Sequence, residues 1–295
     1  MSDDINDITK EGVCVPKDSP VTDNPWRKLQ TFTDARVGLG RAGVSVPTKH
    51  LLAFQLAHAQ AIDAVHSKLN TKKLMTDLEE LDWAPDCGEP NKALTLHSRA
   101  KDRATYLQRP DYGRLLNDES ANTLDEHQNN GSPYDLAIVI VDGLSSLAIE
   151  QNAMPFLKAL LPHLAPKSAH DQSPWRLAPI CLVEQGRVAI GDDVCERLQA
   201  NCVLILIGER PGLSSPDSLG LYLTWGGKVG LTDAYRNCIS NIRPAGLAYE
   251  DAARKAFYLL HEARNLKLSG VKLKDRSDDD LIEGGNAPIK NFLIS

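Results

Sequence analysis

The sequence predicts an α/β layered domain with a largely parallel sheet, and three observations carry that expectation. Residues 203–207 read Val-Leu-Ile-Leu-Ile, five apolar residues closed by Gly208. A strand with one wet face alternates apolar and polar residues, whereas an unbroken run of this length is a strand covered on both faces. A second run, 136–141, ends in Asp142-Gly143. Strand-like runs then alternate with helical stripes from residue 134 to 268, the order that βα units produce. In such sheets ligands collect beyond the carboxyl ends of the strands. Glu209, Arg210, Pro211 and Gly212 stand there, either as a ligand edge or as a charged surface turn.

Composition narrows the class. The 295 residues suit one large domain or two ordinary ones, with 42% apolar and 24% charged residues. A net charge of −6 argues against a broad basic face for nucleic acid. No apolar run reaches the ~20 residues that span a bilayer. The start, Met-Ser-Asp-Asp-Ile-Asn-Asp, is acidic where a secretory leader is basic, so a cytoplasmic protein is expected. The six cysteines, Cys14, Cys87, Cys181, Cys195, Cys202 and Cys238, form no Cys-x-x-Cys pair, and no metal site is expected. Cys181, Cys195 and Cys202 lie among apolar neighbours and read as small core residues.

Along the first half, residues 1–30 read as a flexible arm with Pro16, Pro20 and Pro25. Gly38, Gly40 and Gly43 spell a literal G-x-G-x-x-G. Neither a strand before it nor a helix opening inside it is present, so a tight loop is expected rather than a dinucleotide turn. Arg36 and Arg41 in that loop are open to an anion, a partner carboxylate or solvent. Pro47 opens a helix whose stripe runs through Leu51, Leu52, Leu56, Ile62 and Val65. His50, His58 and His66 lie eight apart on it and read as surface histidines. Residues 70–92 read as a loop or insertion. Arg109-Pro-Asp-Tyr-Gly-Arg114 reads as a turn into a helix capped by Asp111. Its charged groups serve either an ion-paired joint, the preferred reading, or a binding site. Residues 125–133 are polar and breaker-rich, a boundary between a segment 31–130 and a segment 131–270.

In the second half, Ser145 or Ser146 caps a helix to about residue 161, with a kink near Pro155. An apolar stretch at 177–183, a turn at Gln185-Gly186-Arg187 and an apolar triplet at 188–190 follow. Asp192 opens a helix to about Leu198. After the 203–207 strand comes another at 219–225, then polar residues 232–243. Tyr249 opens a helix that Gly270 stops, and residues 271–295 read as a flexible tail.

Several of these segments, in order, resemble the small (light) subunit of ethanolamine ammonia-lyase. They are Gly40-Arg-Ala-Gly43, Arg109-Pro-Asp-Tyr-Gly-Arg114, Val141-Asp-Gly-Leu-Ser145, Gly186-Arg-Val188, Gly208-Glu-Arg-Pro-Gly-Leu213 and Asn237-Cys-Ile-Ser-Asn-Ile242. The likeness covers roughly residues 33–270. The arm, the 70–92 and 121–133 segments and the tail depart from the family pattern. The resemblance implies a Rossmann-like domain at 131–270 behind a smaller, mainly helical domain at 31–130. It implies adenosylcobalamin as cofactor, with this chain taking the lower face and nucleotide loop. It implies a large-subunit partner, a TIM barrel that holds ethanolamine and the catalytic residues, so none is expected here. Ethanolamine becomes acetaldehyde and ammonia by radical chemistry. Three cofactor contacts carry over by motif, namely Val188, Glu209 and Cys238. Enteric relatives carry a longer N-terminal extension tied to a bacterial microcompartment, and the different arm here leaves that location open.

The residues themselves agree in kind. A carboxylate at Glu209 suits amide or hydroxyl donors of a ligand, and Val188 and Cys238 suit apolar contact with a macrocycle. No nucleophile–base pair stands out, and no Gly-x-Ser-x-Gly elbow is present. The alternative is a stand-alone nucleotide-binding or interaction module of the same layout.

Overall fold

The computed structural model describes residues 24–33, 35–81, 93–127, 133–165 and 175–277. Most of the expected arm, the far end of the tail, Cys14, Cys87 and much of the 125–133 boundary lie outside them. The chain divides into two compact units between Leu56 and Ala57.

In the first unit a 3-10 turn, Pro25–Thr31, begins at Asn24, whose side chain accepts from Trp26 N–H. The Asn24 amide also donates to the Gly38 carbonyl at 2.8 Å. Gly38, Gly40 and Gly43 all take positive φ, between +61° and +75°. The glycines make a tight loop, as their sequence context required. The unit runs into helix α1, Thr48–His66. Pro47 sits just outside it and accepts from His50 and Leu51 N–H through its carbonyl. The stripe on α1 does not form a core: only Ala57 and Ala64 are buried, while Leu51, Leu52, Leu56 and Ile62 are exposed.

The second unit is built on a mixed six-stranded sheet. Its strands are β1 Leu94–His97, β2 Tyr134–Val141, β3 Cys181–Glu184, β4 Ala200–Gly208, β5 Leu219–Trp225 and β6 Arg236–Ile242. The spatial order is β1-β3-β2-β4-β5-β6. β1, β3, β2 and β4 run parallel, while β5 and β6 add on antiparallel. The expectation of a largely parallel sheet therefore holds for four of the six strands. Gly212 pairs with Ser215 in the tight connection that turns β5 back beside β4. Too few residues separate the strands for a helical crossover, so antiparallel pairing is what the short connection permits.

Among its described residues the segment 31–130 holds four α-helices, as a mainly helical reading has it, and one strand. Leu94-Thr-Leu-His97 is a strand on the edge of the sheet, hydrogen-bonded to β3. Four residues are too few to show a period. Within the stretch read as loop, Asn70 caps helix α2, Thr71–Glu79, by accepting from Lys73 N–H. The helices α3 Arg103–Gln108 and α4 Asp118–Glu126 flank the short 3-10 turn Tyr112–Arg114. Asp111 does not cap that turn. It pairs instead with Arg109 at 2.7 Å, on the surface and within the motif itself.

Strand alternation sorts the core into two layers. On one face Leu136, Ile138 and Ile140 of β2 and Cys202, Leu204 and Leu206 of β4 pack with α5, Ser146–Leu164, and α7, Tyr249–Leu266. On the other, Ala137, Val139, Val141, Val203, Ile205 and Ile207 pack with α4 and α6, Ile190–Arg197. Val203, Leu204, Ile205 and Leu206 are fully buried and Ile207 nearly so, which is why this strand carries no polar break. Ser145 caps α5 by accepting from Ala148 N–H, and the helix continues through Pro155 and Pro162. The 188–190 triplet is a turn into α6, which starts two residues before Asp192. The chain leaves α7 at Lys267, in the left-handed conformation, before Gly270. Among the described residues no helix is long and apolar enough to cross a membrane.

Candidate functional site

The carboxyl ends of β2 and β4, where the sheet's connections diverge, are the expected ligand crevice. Here that crevice is closed. The loop after β2 lies directly on the end of β4: a Cβ on Gly143 would collide with the Gly208 carbonyl, and one on Gly208 with that of Ser145. Only glycines allow the two backbones this approach. Asp142 is buried beneath the loop and accepts from Gly143 N–H at 2.8 Å and Gly186 N–H at 3.2 Å. Burial pushes its carboxyl up to about 6, against the opposing pull of backbone amides and Arg103. Arg103 lies 3.7 Å away and donates to the Val65 and Gly143 carbonyls. This cluster braces the loop.

The open ground lies at the antiparallel end, on the face that carries Val203 and Ile205. There Tyr222 and its register partner Cys238 show partly or fully at the surface. A cleft of about 680 Å³ runs from Arg114 and Leu115 past Arg187, Val188 and Tyr222 to residues 229–233. Val188 reaches it from the turn into α6, which follows Arg187 N–H bonding to the Gly113 carbonyl at 2.7 Å. Cys238 sits beside Tyr222 on β6. Its thiol is pushed up by burial against that ring and by the Glu209 charge, while a hydrogen bond with Tyr222 pulls it down. Burial, and then Cys238 and Glu209, push the Tyr222 hydroxyl up.

Glu209 joins the same face through Gly220. Its side chain lies across that residue, where a Cβ would meet Oε1 at 2.8 Å and Cγ at 2.9 Å. Oε2 accepts from the Ser218 hydroxyl and from Asn241 N–H. Oε1 has no hydrogen-bond partner among the described residues. One oxygen therefore braces the turn and the other remains an acceptor. Asn241 takes a left-handed φ of +59°, a conformation asparagine tolerates, at the end of the Cys-Ile-Ser-Asn motif.

Val188, Glu209 and Cys238, far apart in sequence, are thus brought to one side of one sheet end. Residues 23–274 match the family model for the ethanolamine ammonia-lyase light chain (EutC). The chain belongs to the ethanolamine ammonia-lyase light-chain family. Curated relatives bearing the name ethanolamine ammonia-lyase small subunit include that of Azotobacter vinelandii, 52% identical over 94% of this chain and 97% of the relative. That of Pseudomonas fluorescens strain SBW25 is 49% identical over 95% and 97%. That of Xanthomonas campestris pv. campestris strain B100 is 51% identical over 91% and 95%. The enzyme of this family is a carbon–nitrogen lyase, and the chain corresponds to its small subunit.

For a light chain, the sequence reading missed Tyr222 and Gly220. A signal was present: in Leu219-Gly-Leu-Tyr-Leu-Thr-Trp225, Gly220, Tyr222 and Thr224 alternate with leucines that enter the core. That alternation marks a strand with one face not lined by large apolar side chains, in contrast to 203–207. Of the three cysteines read as core, Cys181, Cys195 and Cys202 are all buried. Burial pushes the thiols of Cys181 and Cys195 up to about 12.

Proposed function

We propose that this chain binds the lower face and nucleotide loop of adenosylcobalamin and pairs with a catalytic large subunit, a TIM barrel, in the deamination of ethanolamine to acetaldehyde and ammonia. The single observation that carries the reading is the convergence of Val188, Glu209 and Cys238 around Tyr222 on an uncovered sheet face. The residues fit such a group. Val188 and the Tyr222 ring offer apolar contact to a flat macrocycle or base, and Glu209 Oε1 is free to accept from a side amide or ribose hydroxyl. When bound, the cofactor supplies radical chemistry from its cobalt–carbon bond. This chain's residues bind it, orient it and exclude water from one side, within a Rossmann-like layering of the second unit.

Glu209→Ala tests the reading in the complex reconstituted with the large subunit. Losing an acceptor of this kind costs roughly 1.5–3 kcal/mol, about tenfold to a few hundredfold in cobalamin affinity. The ethanolamine dependence is expected to hold, because the substrate sits in the other chain. Unchanged cobalamin affinity alongside a lowered melting temperature would leave Glu209 only its brace to Ser218 and Asn241.

A further inference from the structure

Glu209 is gripped by one oxygen, and the grip reaches well beyond Glu209 itself. Oε2 takes the Ser218 hydroxyl and the Asn241 N–H, the latter at 3.3 Å, the long end for such a bond. A bond so long survives only if its donor is fixed. Leu219 pairs with Ile242 and Leu221 with Ile239, so Ser240 and Asn241 stand together opposite Gly220. This is a β-bulge, whose extra residue leaves the ladder and is re-aimed. The bulge lies across from the same glycine that Glu209 covers. The left-handed φ of Asn241 costs an L-residue energy, so its neighbours must maintain it. Its carbonyl accepts from Leu247 N–H at 2.8 Å, and Gly246 packs so closely that a Cβ there would collide with the same oxygen. Its side-chain oxygen accepts from Arg243 Nε at 2.9 Å. Arg243 reaches on to Asp217, with Nη1 at 3.4 Å from Oδ1 and both side chains mostly buried. Asp217 is anchored in turn. Its carbonyl accepts from buried Asn152 of α5 at 2.7 Å, and the Asn152 oxygen accepts from the Tyr249 hydroxyl of α7 at 2.7 Å. The Ser145 hydroxyl holds the neighbouring Pro216 carbonyl at 2.7 Å. Arg243 therefore joins the two segments that grip Oε2, the strand end carrying Asn241 and the turn carrying Ser218.

We propose that Arg243 is a positioning residue for Glu209. By joining Asn241 to Asp217 it keeps the bulge N–H and the Ser218 hydroxyl on Oε2, and so leaves Oε1 as the acceptor for the cofactor. The inference rests on the cobalamin reading above and deepens it. Arg243 acts through Glu209 and needs no contact with the ligand. Without its guanidinium the Asn241 side chain and the Asp217 carboxylate each lose a donor, and the bulge loosens. A carboxylate released from Oε2 visits more poses, and binding then pays to order it.

The test is a double-mutant cycle in the full chain reconstituted with its large subunit. Cobalamin binding is read by the corrin absorbance, beside the melting temperature and the KM for ethanolamine. Arg243→Met keeps the stem and removes the donors. It is expected to weaken cobalamin binding about three- to tenfold in the wild-type background and not at all in a Glu209→Ala background. The KM for ethanolamine should hold in both. Arg243→Lys, which can serve Asn241 or Asp217 but lacks the fork to serve both, should recover part of the loss. Equal losses in the two backgrounds would show that Arg243 only supports the fold, and would overturn the proposal. So would an Arg243→Met complex that binds cobalamin as wild type does while Glu209→Ala does not. If Arg243→Met fails to assemble, Asp217→Asn carries the same cycle, since it weakens the tie and keeps the shape. Its smaller loss should likewise vanish once Glu209 is gone, and a loss that persists there, or none in the wild-type background, overturns the proposal. If Glu209→Ala itself leaves cobalamin affinity unchanged, it is the reading of Glu209 as a contact that fails, and this proposal with it.

Discussion

The two ends of the sheet present a contrast. Among the parallel strands, the diverging ends of β2 and β4 are sealed by backbone lying on backbone at Gly143 and Gly208, over a buried aspartate. At the antiparallel end, β5 and β6 leave one face with an aromatic ring, a thiol and a carboxylate beside a cleft. The general rule for open α/β sheets points to the first place. The candidate site lies beside the second, although Glu209 still follows the carboxyl end of β4 and Val188 that of β3. What separates them is side-chain volume: glycines let the loop close one crevice, while the cleft lies beside the turn that leads into α6.

The largest test of this contrast is Gly208→Ala. The added Cβ would meet backbone on two sides, colliding with the Ser145 carbonyl and standing 2.6 Å from that of Asp142, and neither can swing away. A loss above about 4 kcal/mol, or failure to fold, is expected in a denaturant melt. A well-folded variant would mean that the crevice can open.

Next in size is Arg236→Leu, which attacks the frame of the open end. Arg236 and Asp192 are almost wholly buried, with side chains 2% and 1% exposed, and tie β6 to α6. Removing one partner of such a pair strands the other and costs about 3–5 kcal/mol. The double replacement with Asp192→Leu should recover much of that loss in the same melt, since no charge is then left buried.

A smaller effect comes from pH. The Asp142 carboxyl titrates at about 6 in the fold, above its ordinary value of 3.8. A raised carboxyl binds its proton more tightly when folded, so its stabilising contribution is complete below 3.8 and is lost as pH rises through 6. The melting-temperature advantage of wild type over Asp142→Asn should therefore shrink between about pH 4 and 6. A difference independent of pH would show that the crevice charge is not strained by burial.

The smallest expected change in stability is that of Gly220→Ala. Its Cβ meets only the flexible Glu209 side chain, at 2.8 Å from Oε1. The carboxylate should swing out and leave Ser218 and Asn241, at a cost of about 1 kcal/mol or less in a melt. Cobalamin affinity should fall toward that of Glu209→Ala, which sharpens the contrast by moving binding without unfolding.

Much of this was legible in the residues. The run at 203–207 could only be a strand with two dry faces, and both faces are dry. Ser145 or Ser146 was a cap by chemistry, and Ser145 is the one that caps α5. The glycines at 38, 40 and 43 lacked the flanking strand and helix of a dinucleotide turn, and they form a loop of positive φ. The family, too, could be read from motifs spread along the chain. Short or edge elements escaped, because β1 has four residues and β6 mixes polar with apolar positions, and neither carries a period.

What the sequence alone determined is the local grammar: which segments are buried, where helices begin, and which turns need glycine. These follow from side-chain volume, backbone freedom and hydrogen-bonding groups within a few residues. Tertiary structure decided which end of the sheet is open. That depends on a loop after one strand meeting the end of another far along the chain, Gly143 against Gly208, and on Tyr222 and Cys238 coming into register across two strands. Glu209 illustrates the division. Its place after a buried strand was readable, but its reach across Gly220 depends on contacts that no local pattern encodes.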